Sequence, residues 1–220
     1  MSEHIDEVVR RLRDEETAQN EAAKTHVAWK RLRSPLVDTN IHSNYIMSVR
    51  FNKIAALLER NFGLRGKTIL SCGCGSALYE IAFAKRGATV WAYDISEGML
   101  EIASHNAKLH NAEINFFKSH ELRLSRDLDK VRLLQVDIVW GSSILHHLAS
   151  PETFRQCILS RIHSNTIAVF CEPVSSGLVN TIRKSALNIY HHTQTEHETA
   201  WPLQEYKEYL LKIFRKVEFL

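Results

Sequence analysis

Three groups of residues in this sequence have the types and spacing that chemistry needs. The first is Ser71-Cys72-Gly73-Cys74-Gly75, with Asp94 about 20 residues beyond it. Glycines at 73 and 75 can take backbone angles closed to other residues and let a ligand lie against the main chain. A helix that follows such a turn offers unpaired N–H groups, and a carboxylate closing the next strand is placed to accept hydrogen bonds from the two hydroxyls of a ribose. The pattern asks for a nucleoside. The second group is His146-His147 with Glu172 further on, because imidazoles exchange protons near neutral pH. The third is His191-His192 with Glu196 and His197, whose types fit a metal but whose spacing does not define a site. Cys72 and Cys74 have no second Cys or His pair at zinc spacing nearby, so no metal is expected.

The elements that must position these groups are legible in the apolar pattern. A β-rich run over 68–70 enters the glycine turn, a helix with Leu78, Ile81 and Ala82 on one face stops at Gly87, and a second run over 90–93 ends on Asp94. Strand, glycine turn, helix, strand and carboxylate make half of a doubly wound α/β sheet, with the site at the carboxyl ends of its first two strands. A pyrophosphate fingerprint needs a third glycine three residues after the second. Leu78 stands there, which argues against NAD or FAD.

The stretch 69–77, Ile-Leu-Ser-Cys-Gly-Cys-Gly-Ser-Ala, resembles motif I of the class I S-adenosylmethionine-dependent methyltransferases. It departs from the family at Ser71, where an acidic residue that helps hold the cofactor's amino-acid end is usual, and at Ala77, where the family has its last glycine. Alanine is tolerated at 77 unless the backbone angle there is positive. The resemblance continues through Asp94-Ile95-Ser96-Glu97-Gly98-Met99-Leu100, through 137–148 as strand four with its loop, and through a strand five ending in Glu172-Pro173; it covers roughly 54–220. It implies a Rossmann-like, mostly parallel sheet and S-adenosyl-L-methionine as cofactor. The positions it marks for that cofactor are Ser71, Gly73, Cys74, Gly75, Asp94, Ile95, Met99 and Gly141, with His120 and Glu121 at the place after strand three where relatives contact adenine.

The same resemblance divides the chain into an N-terminal helical cap, 1–50, and a cofactor-binding domain, 51–220. By analogy His26, Trp29, His42 and Tyr45 are pocket candidates, ordinary packing being the alternative for each. Between Pro173 and Pro202 lies an insert, read either as a helical lid over the acceptor pocket, carrying His191 and His192, or as a solvated loop. Residues 216–220 read as strand six, with the family's antiparallel seventh strand missing. A bare edge there invites a second copy or another chain.

Composition bounds the rest. At 220 residues and 45% hydrophobic content the chain has ample core, and no run approaches the roughly 18 apolar residues of a membrane span. The polar start is no signal peptide, so a cytoplasmic protein with reduced thiols is expected. A net charge of +3 and the sequence Gly141-Ser142-Ser143-Ile144 after strand four argue against nucleic acid. The mixed charges of 1–35 predict a solvated helix rather than a binding arm. Further helices are expected over 44–61, after a Ser96 cap with Met99, Ile102, Ala103 and Ala107 inward, from Pro151 with Phe154, Ile158 and Ile162 inward, and near the end with Leu203, Tyr206, Leu210 and Ile213 inward. Strands are expected over 114–117, 133–140 and 167–173.

The expected function is methyl transfer to a small-molecule acceptor by in-line displacement, with His147 or His146 as base and Glu172 touching the acceptor or fixing its own turn. The alternative is a non-catalytic binding subunit on the same fold, motivated by Ser71, Ala77, the missing acid after strand three and the missing last strand.

Overall fold

A computed structural model describes residues 2–25, 41–133, 135–148, 151–172 and 202–212. The insert 173–201 with its proposed lid, the candidates Trp29, His191 and His192, and the expected strand six lie outside the described residues. Tyr45 lies on a described helix, but its side chain is not among the described ones.

Five strands form one parallel sheet: β1 Thr68–Cys72, β2 Thr89–Asp94, β3 Ile114–Lys118, β4 Val136–Ser142 and β5 Ile162–Cys171, in the order β3-β2-β1-β4-β5. The helices are α1 Ser2–Thr25, α2 Ile41–Phe62, α3 Leu78–Ala84, α4 Glu97–Leu109, α5 Leu124–Lys130, α6 Pro151–Leu159 and α7 Leu203–Leu211. No described helix is long and apolar enough to cross a membrane.

Parallel strands need both faces covered, and side chains alternate between the faces. Ile69, Val90, Ala92, Ile138 and Trp140 pack with Phe51, Ala55 and Leu58 of α2, Phe83 of α3 and Ala103 of α4. Leu70, Cys72, Tyr93, Val136 and Val139 pack with Leu124 and Leu128 of α5, Phe154 and Ile158 of α6, and Tyr206 and Leu210 of α7. Asp137 interrupts the apolar run of β4 because it caps the start of β1, accepting from the Thr68 N–H at 2.8 Å and from Lys67 Nζ at 3.3 Å. Burial alone would raise its carboxyl, but these two donors hold it below the ordinary value.

Several expectations need correction. β4 begins at Val136 rather than 133, and β5 at Ile162 rather than 167, so Ile162 belongs to a strand and not to the buried stripe of α6. The short helix α5 went unpredicted because seven residues carry less than two periods of pattern. In α7, Tyr206 and Leu210 are buried as expected and Tyr209 joins them, whereas Leu203 is exposed; Ile213 lies outside the described residues. The helix α1 is not simply solvated: Val8 and Ala23 are buried, the latter against Met99 and Ile102 of α4. Ala77 does sit in the left-handed region, at φ 59 and ψ 31, a conformation that costs a residue with a Cβ roughly 1–2 kcal/mol.

Gly141 in β4 illustrates how tightly the layers close. A Cβ there would lie 2.5 Å from Ile144 Cγ2 and 2.7 Å from the Phe170 ring. Gly141→Ala is therefore expected to cost about 1–3 kcal/mol, lowering the melting temperature by several degrees. An unchanged melting curve would contradict this packing.

Candidate active site

The carboxyl ends of the strands converge on one edge of the sheet, and the chain turns sharply there. Gly73 (φ 63), Gly75 (φ 50) and Ala77 place three left-handed residues at alternate positions. A Cβ at Gly73 would strike Ile144 Cδ1 at 2.5 Å, whereas at Gly75 it meets no described atom within 4 Å, leaving the backbone at Gly75 approachable. The Cys74 N–H donates to the Tyr93 carbonyl at 3.0 Å, so the turn is stitched to β2. Cys74 and Cys72 are buried thiols; burial pushes Cys72 up to about 12 and Cys74 well above its ordinary value, so neither is a nucleophile at neutral pH.

Asp94 closes β2 and is buried. Its Oδ2 accepts the Gly75 N–H and its Oδ1 the Ser96 N–H, each at 2.9 Å. Burial raises its carboxyl, with those two N–H groups opposing. Each carboxylate oxygen keeps a second lone pair, so the clamp does not exhaust its capacity for a ribose. Ser96 caps α4, accepting the Met99 N–H at 3.1 Å, and its hydroxyl donates to Asn20 Oδ1 of α1 at 2.7 Å. Ile95, beside the clamp, is half-buried.

Beyond β3, His120 is half-buried, with Nδ1 enclosed and without a hydrogen-bond partner among the described residues. Burial and the Arg123 guanidinium lower its tendency to take a proton. Glu121 is buried within electrostatic reach of Tyr93, Cys157 and Tyr209, on the side where the second core lies.

Beyond β4, the loop 143–148 is anchored by the end of β5. Glu172 Oε1 accepts the N–H groups of Ile144 (2.9 Å) and Leu145 (3.1 Å), while Oε2 lies 3.1 Å from His146 Nδ1. The rings of His146 and His147 sit 4.2 Å apart. His147 Nδ1 in turn lies 3.1 Å from Glu15 Oε1 of α1, and each of those side chains is only 13% exposed. Burial would raise the Glu15 carboxyl, but contact with His147 and with Gln19 outweighs it and holds the group below its ordinary value. The helix α1 also sets Glu16 2.6 Å from Lys118 at the end of β3. It thus runs over the ends of β2, β3 and β4.

One participant has no counterpart among the residues expected from sequence. Glu80, in the first turn of α3, is 2% exposed; Oε1 accepts the Ser71 hydroxyl at 2.6 Å, and Oε2 has no hydrogen-bond partner among the described residues. Its only signal in the sequence is a carboxylate inside an otherwise apolar helix. Glu15 and Asn20 were missed as well, because they lie in a charged segment whose pattern does not say what it covers. The structure therefore brings Ser71, Gly73, Gly75, Asp94, Met99, His120, Gly141, His146, His147 and Glu172 to one edge, with Glu15, Asn20 and Glu80 added.

Residues 69–164 match the model of the family described as "Methyltransferase domain". Ubiquinone biosynthesis O-methyltransferase of Coxiella burnetii is 30% identical over 95 residues, 43% of this chain and 38% of that protein. The protein of the same name from Pseudomonas savastanoi pv. phaseolicola is 31% identical over 101 residues, 46% of this chain and 42% of that protein. The chain thus spans about two fifths of the length of the curated relatives it matches. In solved structures the fold recurs in magnesium protoporphyrin IX methyltransferase from Synechocystis, with a TM-score of 0.57 and 16% identity over 88% of this chain and 86% of that one. Glycine turn, strand-end carboxylate, sheet order and family match coincide on one segment, residues 69–164, which matches the methyltransferase-domain family.

Proposed function

We propose that the protein is an S-adenosylmethionine-dependent methyltransferase acting on a hydroxyl of a small molecule. The observation that carries this reading is the Asp94 carboxylate clamped to the Gly75 N–H at the joined ends of β1 and β2, inside the matched domain. The residues present fit the cofactor. Gly75 leaves the main chain approachable, Asp94 has lone pairs for two ribose hydroxyls, and His120 Nδ1 is an unsatisfied polar atom on the β3 side, where a base would lie. The carboxylates of Glu15, Asp94 and Glu172 make this edge a fitting place for a cationic ligand.

S-adenosylmethionine supplies, when bound, a methyl group already activated on a sulfonium. The chain then has to orient the acceptor, exclude water and take a proton. His147 is our choice of base: Glu15 faces its Nδ1, and a neighbouring carboxylate favours the protonated imidazole that proton abstraction would create. His146 is fixed through Glu172 and packs against His147, so we assign that pair to holding the loop 143–148 in place. The O-methyltransferase names of the curated relatives favour oxygen over nitrogen or carbon as the methylated atom.

Two measurements test the reading. Calorimetric titration with S-adenosylmethionine is expected to give binding on the order of micromolar, and Asp94→Ala to weaken it about tenfold or more; equal affinity in the variant would remove Asp94 from the ribose role. With radiolabelled cofactor and a panel of catechols and phenols, His147→Ala is expected to slow transfer by about 10²-fold or more and to abolish the acidic limb of the pH profile. Turnover unchanged across pH would end the candidacy of His147.

A further inference from the structure

Resting on that reading of the cofactor, we infer that Glu80, seated on Ser71, receives the ammonium of the ligand's amino-acid end and releases its own proton to solvent when that ammonium binds.

The argument begins with an unsatisfied atom. Glu80 Oε2 is enclosed and has no hydrogen-bond partner among the described residues, while Oε1 is held by the Ser71 hydroxyl. A buried carboxyl with one bare oxygen is costly whether neutral or charged, and a group that donates hydrogen bonds and carries positive charge relieves both costs. The surroundings supply no such group. Asp94 on β2 is a second carboxyl whose charge would oppose that of Glu80, Cys72 and Cys74 are thiols held neutral by burial, and the Trp140 indole on β4 is a neutral donor within reach of the carboxyl that brings no positive charge. The helices α2 and α4 meet α3 through Phe51, Ala55 and Ala103. Burial, the largest influence, raises the Glu80 carboxyl to about 7, with the Ser71 hydroxyl and the Trp140 indole opposing and Asp94 adding to the rise. Near neutral pH Glu80 therefore keeps part of its proton.

Strand order fixes which part of the ligand comes here. A ribose on Asp94 lies at the end of β2, and the base extends toward β3 and His120. The 5′ substituent must run the other way, over β1, whose Ser71 pairs with Ala92 of β2. That substituent is an amino acid chain, whose ammonium is the donor Oε2 lacks. On its arrival the carboxylic acid becomes a carboxylate, and its proton goes to the buffer. The carboxylate absent at position 71 is thus returned to the site from the facing helix.

The test is calorimetry at pH 7 in phosphate and in Tris, buffers whose ionisation enthalpies differ, with two probes. S-adenosylhomocysteine carries the ammonium but no sulfonium; methylthioadenosine has the same nucleoside without the amino acid. The wild-type protein is expected to release a fraction of a proton on binding S-adenosylhomocysteine and none with methylthioadenosine. Glu80→Gln is expected to abolish that release and weaken S-adenosylhomocysteine about tenfold, while leaving methylthioadenosine within about twofold. Equal proton release in the variant, or equal weakening of both probes, would overturn the inference while leaving the cofactor assignment standing. If the wild-type protein binds neither probe, the cofactor assignment itself falls and takes this inference with it.

Folding of the variant is read separately. Because the native Glu80 titrates above its unfolded value of 4.5, the stability it contributes is present below that value and lost as pH rises through about 7. Glu80→Gln should therefore gain in melting temperature relative to wild type between about pH 5 and pH 8. Ser71→Ala is the second variant: without the hydroxyl, Glu80 is more fully protonated at pH 7, and the release on binding should grow toward one proton. A release unchanged by Ser71→Ala would also count against the inference.

Discussion

The carboxylate of Asp94 is the joint on which the ligand edge depends. One oxygen takes the N–H of Gly75 and the other the N–H of Ser96, so a single buried side chain ties the glycine turn after β1 to the entry of α4. Hydrogen bonds from backbone N–H groups to a buried carboxyl are electrostatically stronger than the same bonds in water. The turn needs such a tether because three of its residues hold left-handed angles, one of them an alanine that gains nothing from doing so. The same tether sets the spacing between β1 and β2 at the place where a nucleoside would lie.

A second constraint comes from the far side of the sheet. Glu172 ends β5 and accepts from two backbone N–H groups of the loop after β4, as well as facing His146. That loop carries both histidines, with Ser143 in a left-handed conformation and its N–H on the Cys171 carbonyl. The loop is therefore positioned by a strand, and the precision of the histidine pair follows from the rigidity of the sheet. Glu15 completes the arrangement from a helix more than a hundred residues away in sequence. Carboxylates at the ends of β2 and β5 and on α1, with histidine and lysine partners for those of β5 and α1, leave an edge poised for a ligand of positive charge.

Ser71 and Glu80 show how a motif can change letters while the site keeps a carboxylate. Position 71 holds a hydroxyl, and the charge comes from the first turn of the following helix, joined to it by a hydrogen bond of 2.6 Å. The cost of burying that carboxyl shows in its raised titration.

By itself the sequence determined the sheet, the glycine turn and the carboxylate of β2, because each is a local pattern. Alternating apolar runs specify strands, glycines permit the turn, and the residue that closes a strand has its place fixed by the strand. It also determined the capping of α4 by Ser96 and the inward stripe of that helix. Element edges were less legible: β4 begins at Val136 and β5 at Ile162 because neighbouring strands extend one another through pairing, which no single segment records. What only the tertiary structure decided are the contacts between segments distant in the chain. The charged pattern of α1 says that it is a helix, but that Glu15, Glu16 and Asn20 reach His147, Lys118 and Ser96 follows from where the helix lies on the sheet. That Glu80 is buried against Ser71 follows likewise from the packing of α3 on β1, since burial is a property of the fold and not of the segment.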